Sequence, residues 1–284
     1  MATEEQNRPN SDVSDEENEN NEDAVDMRIV DPDTIDLDLN HGRVGKIENL
    51  EPLTQLETLS LRWNLIKKIE NLSTLGATLT ELELYDNQIT KLENLDALVN
   101  LEILDVSHNR LRKIEGLENL TKLRKLFLVS NKITKIENVS HFKDLEMLEL
   151  GDNRIRVIEN LQGLTKLKEL FLGKNKIAKI SNLDCLPQLE LLSMQANRIV
   201  KIEGLEALVN MDQLYLADNG IENIENLEKN TAITTIELAN NRISCLSGLE
   251  ALTKVDEFWF NDNKVGYAKL NTLVSRISVP VRLI

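Results

Sequence analysis

This sequence has little of what catalysis, metal binding or membrane insertion would draw on. It holds two cysteines and three histidines in 284 residues. Cys185 and Cys245 do not stand in C-x-x-C spacing, so no thiolate metal site is legible. Such sparse cysteine fits a reducing compartment. There is no phosphate-cradling glycine loop, no H-E-x-x-H and no nucleophile elbow. Ser107 beside His108 has no orienting acid and is not read as catalytic. No apolar run approaches the roughly 18 residues a membrane span needs, and the N-terminus lacks the basic-then-apolar order of a signal peptide. Basic residues are in deficit, 33 against 48 acidic for a net charge of −15, and phosphates would be repelled rather than paired. No catalytic residue, cofactor, metal, nucleic acid or membrane is expected, and the chain is expected in the nucleus and cytoplasm.

The acid is unevenly placed. Residues 1–33 hold twelve Asp or Glu against two Arg, a net of −10, which leaves −5 for residues 34–284. A segment such as SDVSDEENENNED cannot recover its ordering entropy by burial, so residues 1–33 are expected to form a disordered acidic tail. Ser14, followed by Asp15, Glu16 and Glu17, is in a context that acidophilic kinases favour.

What the chain does have is a period. The frame L-x-x-L-x-L-x-x-N-x-I-x-x-I-x-x-L-x-x-L recurs with Asn at 64, 87, 109, 131, 153, 175, 197, 219, 241 and 263. Every step is 22 residues except the step from Asn64 to Asn87, where one residue is inserted near Gly76 and Ala77. Gly42 holds the Asn place in a degenerate first copy, giving eleven units over 34–263. That period and pattern place the chain among leucine-rich repeats. The fold class expected is an α/β solenoid with a parallel concave sheet and short helical or 3₁₀ convex turns. One unit has too little apolar area to fold, whereas stacked units share a core. Each frame Asn should sit in the turn after its strand and bond backbone groups of adjacent coils. The asparagines are therefore frame, not site.

The information lies in the residues the frame leaves free. Alternation along L-x-L points the central x to the concave face. That line reads Asp38, Ser60, Glu83, Asp105, Phe127, Glu149, Phe171, Ser193, Tyr215, Glu237 and Trp259, without a Lys or Arg. With Tyr85 beside it and Trp63 at its edge, six of the ten aromatic residues crowd toward this side. Phe258 and Phe142 stand in frame positions and are read as core. Aromatics flanked by carboxylates are what interface anchors look like, and the acids would pair with basic groups of a partner. Asp105, Phe127, Glu149 and Phe171 make one patch; Glu237, Glu257 and Trp259 make a second. His41 and His108 lie three units apart, about 14 Å at about 4.8 Å per unit, too far to share a metal or a proton. Cys185 and Cys245 are also three units apart, beyond the roughly 7 Å a disulfide allows.

The strings LYDNQITKLENLDAL, FLVSNKITKIENVS, LELGDNRIRVIENL, LFLGKNKI, LSMQANRI, LYLADNGIE and EFWFNDN, with the I-x-x-I-x-N/G-L signature, resemble the protein phosphatase 1 regulatory subunit 7 family. The resemblance spans roughly residues 35–263 and the acidic N-terminus. It implies binding to the phosphatase catalytic subunit, and ternary complexes with further phosphatase regulators. The matched concave residues are Asp105, Phe127, Glu149, Phe171, Glu257 and Trp259; Glu237 stands where the family more often has Asp. Tyr215 joins them from the concave line. The family continues past the EFW-x-NDN unit with another repeat and a cap, whereas residues 264–284 leave the frame and are expected to form an atypical end. The short docking motif basic-Val-x-Phe is absent. The alternative reading is a leucine-rich adaptor for another partner: a cytoskeletal or axonemal scaffold, or a histone-binding acidic protein.

Overall fold

The computed structural model describes residues 30–265, and the expectations for the acidic tail up to residue 29, for Ser14 and for the end beyond residue 265 lie outside them. Eleven three-residue strands follow one another in chain order: β1 (Asp36–Asp38), β2 (Thr58–Ser60), β3 (Glu81–Glu83), β4 (Ile103–Asp105), β5 (Lys125–Phe127), β6 (Met147–Glu149), β7 (Glu169–Phe171), β8 (Leu191–Ser193), β9 (Gln213–Tyr215), β10 (Thr235–Glu237) and β11 (Glu257–Trp259). They form a single parallel sheet in that order. Register is one to one: Leu82 pairs with Leu104, Leu104 with Leu126, and so along the stack. A slip of one residue would turn the apolar strand centres to solvent, so the buried residue at each centre, Leu in β1 to β9, Ile236 in β10 and Phe258 in β11, holds this register.

The core is one column of apolar side chains. In the coil that begins with β4, Leu104, Val106, Leu111, Ile114, Leu117, Leu120 and Leu123 are all 0–1% exposed. Each repeats in the next coil, so every layer covers its neighbours and no coil is closed alone. Phe142 and Phe258 are buried in frame positions, as expected. Val30 packs on the core, and Asp31 accepts the Thr34 amide at 2.9 Å in a turn leading into β1.

The frame asparagines do what the period implied. Asn131 donates from Nδ2 to the carbonyls of Val106, Leu128 and Val129 at 3.0–3.2 Å. Its Oδ1 accepts the Leu111 amide at 2.9 Å. Val106 and Leu111 belong to the coil before, so one side chain fastens two layers. The residue before each frame position has a left-handed backbone, from Trp63 (φ 54) and His108 (φ 54) to Lys174 (φ 53) and Ala196 (φ 53). Such a φ costs a side-chain-bearing residue about 1 kcal/mol or more. It is held because the amide reaches the next coil, as His108 does to Val129 O at 2.7 Å.

A second left-handed position explains the N/G of the I-x-x-I-x-N/G-L signature. Asn71, Asn94, Asn138, Asn160, Asn182 and Asn226 all have φ between 56 and 62. Each donates to the carbonyl of an isoleucine one coil back, all at 2.7 Å. Gly116 takes the same place with φ 66, and a Cβ there would stand 2.5 Å from Leu92 O.

On the convex side the 3₁₀ alternative of the expected short turns is the one found, mostly as isolated turns. The described residues contain a single 3₁₀ helix, Ser73–Leu75. Elsewhere the Leu-x-x-Leu spacing is met by separate three-residue turns: Leu120 N–H to Leu117 O at 3.1 Å, then Leu123 N–H to Leu120 O at 3.2 Å. The bonds are of 3₁₀ type but do not run consecutively; between them the Thr121 amide bonds Asn119 O at 2.9 Å. The extra residue near Gly76 is absorbed here. Leu79 reaches four residues back to Leu75 O at 2.9 Å, where Leu101 in the next coil reaches only three, to Leu98 O at 3.0 Å. Strands β2 and β3 stay in register on either side of it.

Candidate functional site

The one-to-one register turns the free x positions into a straight row. Asp105 pairs with Phe127, Phe127 with Glu149 and Glu149 with Phe171. Phe171 then pairs with Ser193, Ser193 with Tyr215, Tyr215 with Glu237 and Glu237 with Trp259. Strand neighbours stand about 4.8 Å apart, so Phe127 and Trp259 lie about 29 Å apart along the row. Glu257, two residues before Trp259 on β11, projects from the same face. All eight expected residues thus share one concave surface.

Their exposure is graded. Glu257 is exposed, whereas Phe127, Glu149, Phe171, Tyr215, Glu237 and Trp259 are half-buried. The aromatic rings are thus partly covered, with Leu126, Leu128, Phe258 and Phe260 closing the core beneath them. Asp105 is buried, 9% exposed. Its Oδ1 accepts the Ser107 amide at 2.9 Å, and its Oδ2 lies 3.8 Å from Arg62 Nη2. Arg62 also pairs with Glu83 Oε1, whose other oxygen accepts from Ser60 Oγ at 2.7 Å. Charge in the N-terminal half of the face is therefore largely satisfied within the chain. The C-terminal half is not: among the described residues Glu149, Glu237 and Glu257 have no cationic partner.

Glu149 is the most perturbed acid on the row. It sits between Phe127 and Phe171 on the adjoining strands, and desolvation pushes its carboxyl up from 4.5 to about 7. The Gly151 amide, 2.9 Å from Oε1, opposes the shift. A Cβ at Gly151 would stand 2.8 Å from that oxygen, so any larger residue there would make the Glu149 carboxylate shift. Burial likewise raises the Glu237 carboxyl, against a bond from Gln195. Burial also raises the Tyr215 hydroxyl, assisted by Glu237 and Glu257. The face therefore holds unneutralised acid beside aromatic carbon, a surface whose desolvated carboxylates gain from a cation.

A stability measurement tests this. The fold prefers the protonated Glu149, so its contribution is fully present below pH 4.5 and is lost as pH rises through about 7. Each unit is worth about 1.4 kcal/mol. Glu149→Gln is therefore expected to match the parent near pH 4 and to exceed it at pH 8 by roughly 2–3 kcal/mol in urea unfolding. A gain that is the same at both pH values would refute the assignment.

The sequence reading missed the rings that lie between His41 and His108. His41 stacks on Trp63 at 4.4 Å, Trp63 meets Tyr85 edge-on at 5.4 Å, and Tyr85 meets His108 at 4.7 Å. Arg62 lies 5.8 Å over the Tyr85 ring. His41, Trp63 and His108 each occupy the left-handed place before a frame position, a coincidence visible in the 22-residue step from 41 to 63. Cys185 and Cys245 are not joined to each other in a disulfide. Among the described residues no group of three or more His, Cys, Asp or Glu could hold a metal ion, and no helix is long and apolar enough to cross a membrane.

A stacked parallel sheet with asparagine-fastened turns is the architecture of leucine-rich repeats. The family model for leucine-rich repeats in two copies matches residues 77–119, 99–143 and 143–185. A leucine-rich-repeat protein of Leptospira interrogans superimposes with a TM-score of 0.77 at 22% identity, covering 82% of this chain and 62% of the other. The functional domain of InlJ from Listeria monocytogenes gives 0.67 at 21% identity, covering 82% and 55%. These likenesses are of fold alone. More particularly, the chain's curated homologues are proteins named protein phosphatase 1 regulatory subunit 7. That of Xenopus tropicalis is 53% identical over 61 residues, 21% of this chain and 17% of the relative. The human protein is 56% identical over 59 residues, 20% and 16%. The aligned stretch thus spans about a sixth of the length of those relatives.

Proposed function

We propose that this chain is a non-catalytic regulatory subunit that binds the catalytic subunit of protein phosphatase 1 through its concave face. The observation that carries the reading is the row Phe127–Glu149–Phe171, continued by Tyr215, Glu237, Glu257 and Trp259. It sets partly covered aromatic carbon beside acid that no cation among the described residues neutralises. The homologues named as regulatory subunits of that phosphatase support this choice of partner. On this reading the aromatics enter apolar depressions on the phosphatase, and Glu149, Glu237 and Glu257 receive its Lys or Arg side chains. Asp105, already bonded within the chain, contributes shape and local field. The two patches are far enough apart to hold one globular partner at two points, and the convex side stays available for a further regulator.

The purified chain mixed with the catalytic subunit should co-elute from a size-exclusion column at low micromolar concentration. Separate elution at 10 μM, roughly a −7 kcal/mol threshold, would reject the reading. It would favour the alternative of an adaptor for a cytoskeletal, axonemal or histone partner.

A further inference from the structure

Charge on the solenoid is sorted by flank as well as by face. The residue after the frame Asn is Arg110, Lys132, Arg154, Lys176 and Arg198 in five successive coils. Each donates its backbone amide to a core residue one coil back, to Ile89, Leu111, Ile133, Ile155 and Ile177 in turn, all at 2.8 Å. Five cations are thereby set in one row along the flank by which the chain leaves the sheet. At about 4.8 Å per coil the row is about 19 Å long. Lys113, Lys135 and Lys179, all exposed, extend it toward the convex side.

Like charges at this spacing repel unless something neutralises them, and the chain's own fold does not. In the first three coils convex glutamates take up the lysines: Lys46 with Glu48 at 3.1 Å, Lys68 with Glu70 at 3.7 Å, Lys91 with Glu93 at 3.3 Å. At Lys113, Lys135 and Lys179 that pairing is missing among the described residues, and it returns only at Lys201, 4.0 Å from Glu225. None of the five row residues makes an ion pair among the described residues. Asp152, the acid next to the row, is bonded to Ser130 Oγ at 2.7 Å. On the opposite flank the cations are partnered: Lys122 with Asn100 at 2.6 Å and Lys166 with Asp144 at 2.6 Å.

The counter-charge is in the same chain. Residues 4–26 contain ten carboxylates and one arginine, and the segment joins the solenoid at Val30, against the first coil. Arg198 lies seven coils further on, about 34 Å away, while 26 residues can span up to about 90 Å. We propose that the acidic segment of residues 4–26 docks in cis along the basic row Arg110–Lys132–Arg154–Lys176–Arg198. The concave face stays open, and the flank, the most cationic strip of an acidic protein, is screened from other polyanions.

Zero-length carbodiimide coupling of the full-length chain, mapped by mass spectrometry on the monomer band, tests this directly. At 50 mM NaCl, carboxylates of residues 4–26 should couple to Lys132 and Lys176, with Lys113, Lys135 and Lys179 next. Yields should fall at least about fivefold at 0.5 M NaCl, where screening shortens to a few ångströms. The variant R110Q/R154Q/R198Q removes no coupling lysine, yet its yields at Lys132 and Lys176 should fall about as far. Coupling confined to a dimer band, equal coupling to Lys122, Lys143 and Lys166, or yields indifferent to the arginines would each overturn the proposal. Should the triple variant lose its circular dichroism spectrum, the salt series and the comparison of flanks still decide.

Discussion

Phe127→Ala combined with Trp259→Ala is expected to abolish capture of the phosphatase catalytic subunit while the far-ultraviolet circular dichroism spectrum stays unchanged. Each ring is half-buried on the concave row, and the residues that seal the core beneath them, Leu126 and Leu128, Phe258 and Phe260, are not altered. The fold thus loses surface carbon only. Anchors of this kind carry about 2 kcal/mol or more apiece at interfaces. The two lie in separate patches six coils apart, far enough for their losses to add. The pair should therefore weaken binding by about a thousandfold or more. Each single change should give an intermediate loss. A folded double variant that binds within tenfold of the parent would remove the concave face from consideration.

Asn131→Ala should have the largest effect on stability. Its amide makes four bonds to backbone groups, two of them in the preceding coil. Alanine leaves the Val106 carbonyl and the Leu111 amide without that partner in a buried setting, at about 1–3 kcal/mol each. A loss of roughly 3–5 kcal/mol is expected, read as a lower urea midpoint with the slope retained. The convex asparagines offer a contrast. Asn138 makes one such bond, and glycine already serves in its place at 116, 204 and 248. Asn138→Gly should accordingly cost no more than about 1 kcal/mol. Equal losses at Asn131 and Asn138 would contradict the division of roles between the two asparagine rows.

Most of the fold was legible because two periodicities agree. The 22-residue step sets how coils stack, and the alternation within L-x-L sets which side chains face outward. Together they place Asp105, Phe127, Glu149 and Phe171 on one row before any coordinate is known. The convex turns were not legible: Leu-x-x-Leu spacing is the same for a continuous 3₁₀ helix and for separate turns such as Leu117–Leu120–Leu123, and only the hydrogen bonds distinguish them. Nor was the difference between Asp105 and Glu149. Both are acids on the same row, but Arg62 reaches Asp105 from a neighbouring column two coils away, whereas Glu149 has phenyl rings on either side. That contrast depends on side-chain reach across coils. The ring series from His41 to His108 was missed for a similar reason: a separation measured along the axis says nothing of Trp63 and Tyr85 standing between.

The single irregular step, between Asn64 and Asn87, has a wider consequence. One added residue is taken up by exchanging a three-residue turn for a four-residue one at Leu75–Leu79, and β2 and β3 do not notice it. Length and identity are thereby decoupled in this molecule. The outer arc can gain a residue at the price of a local reshaping, whereas the inner face can change its letters but not their count. Insertions should be sought on the arc, and changes of partner in substitutions along the row.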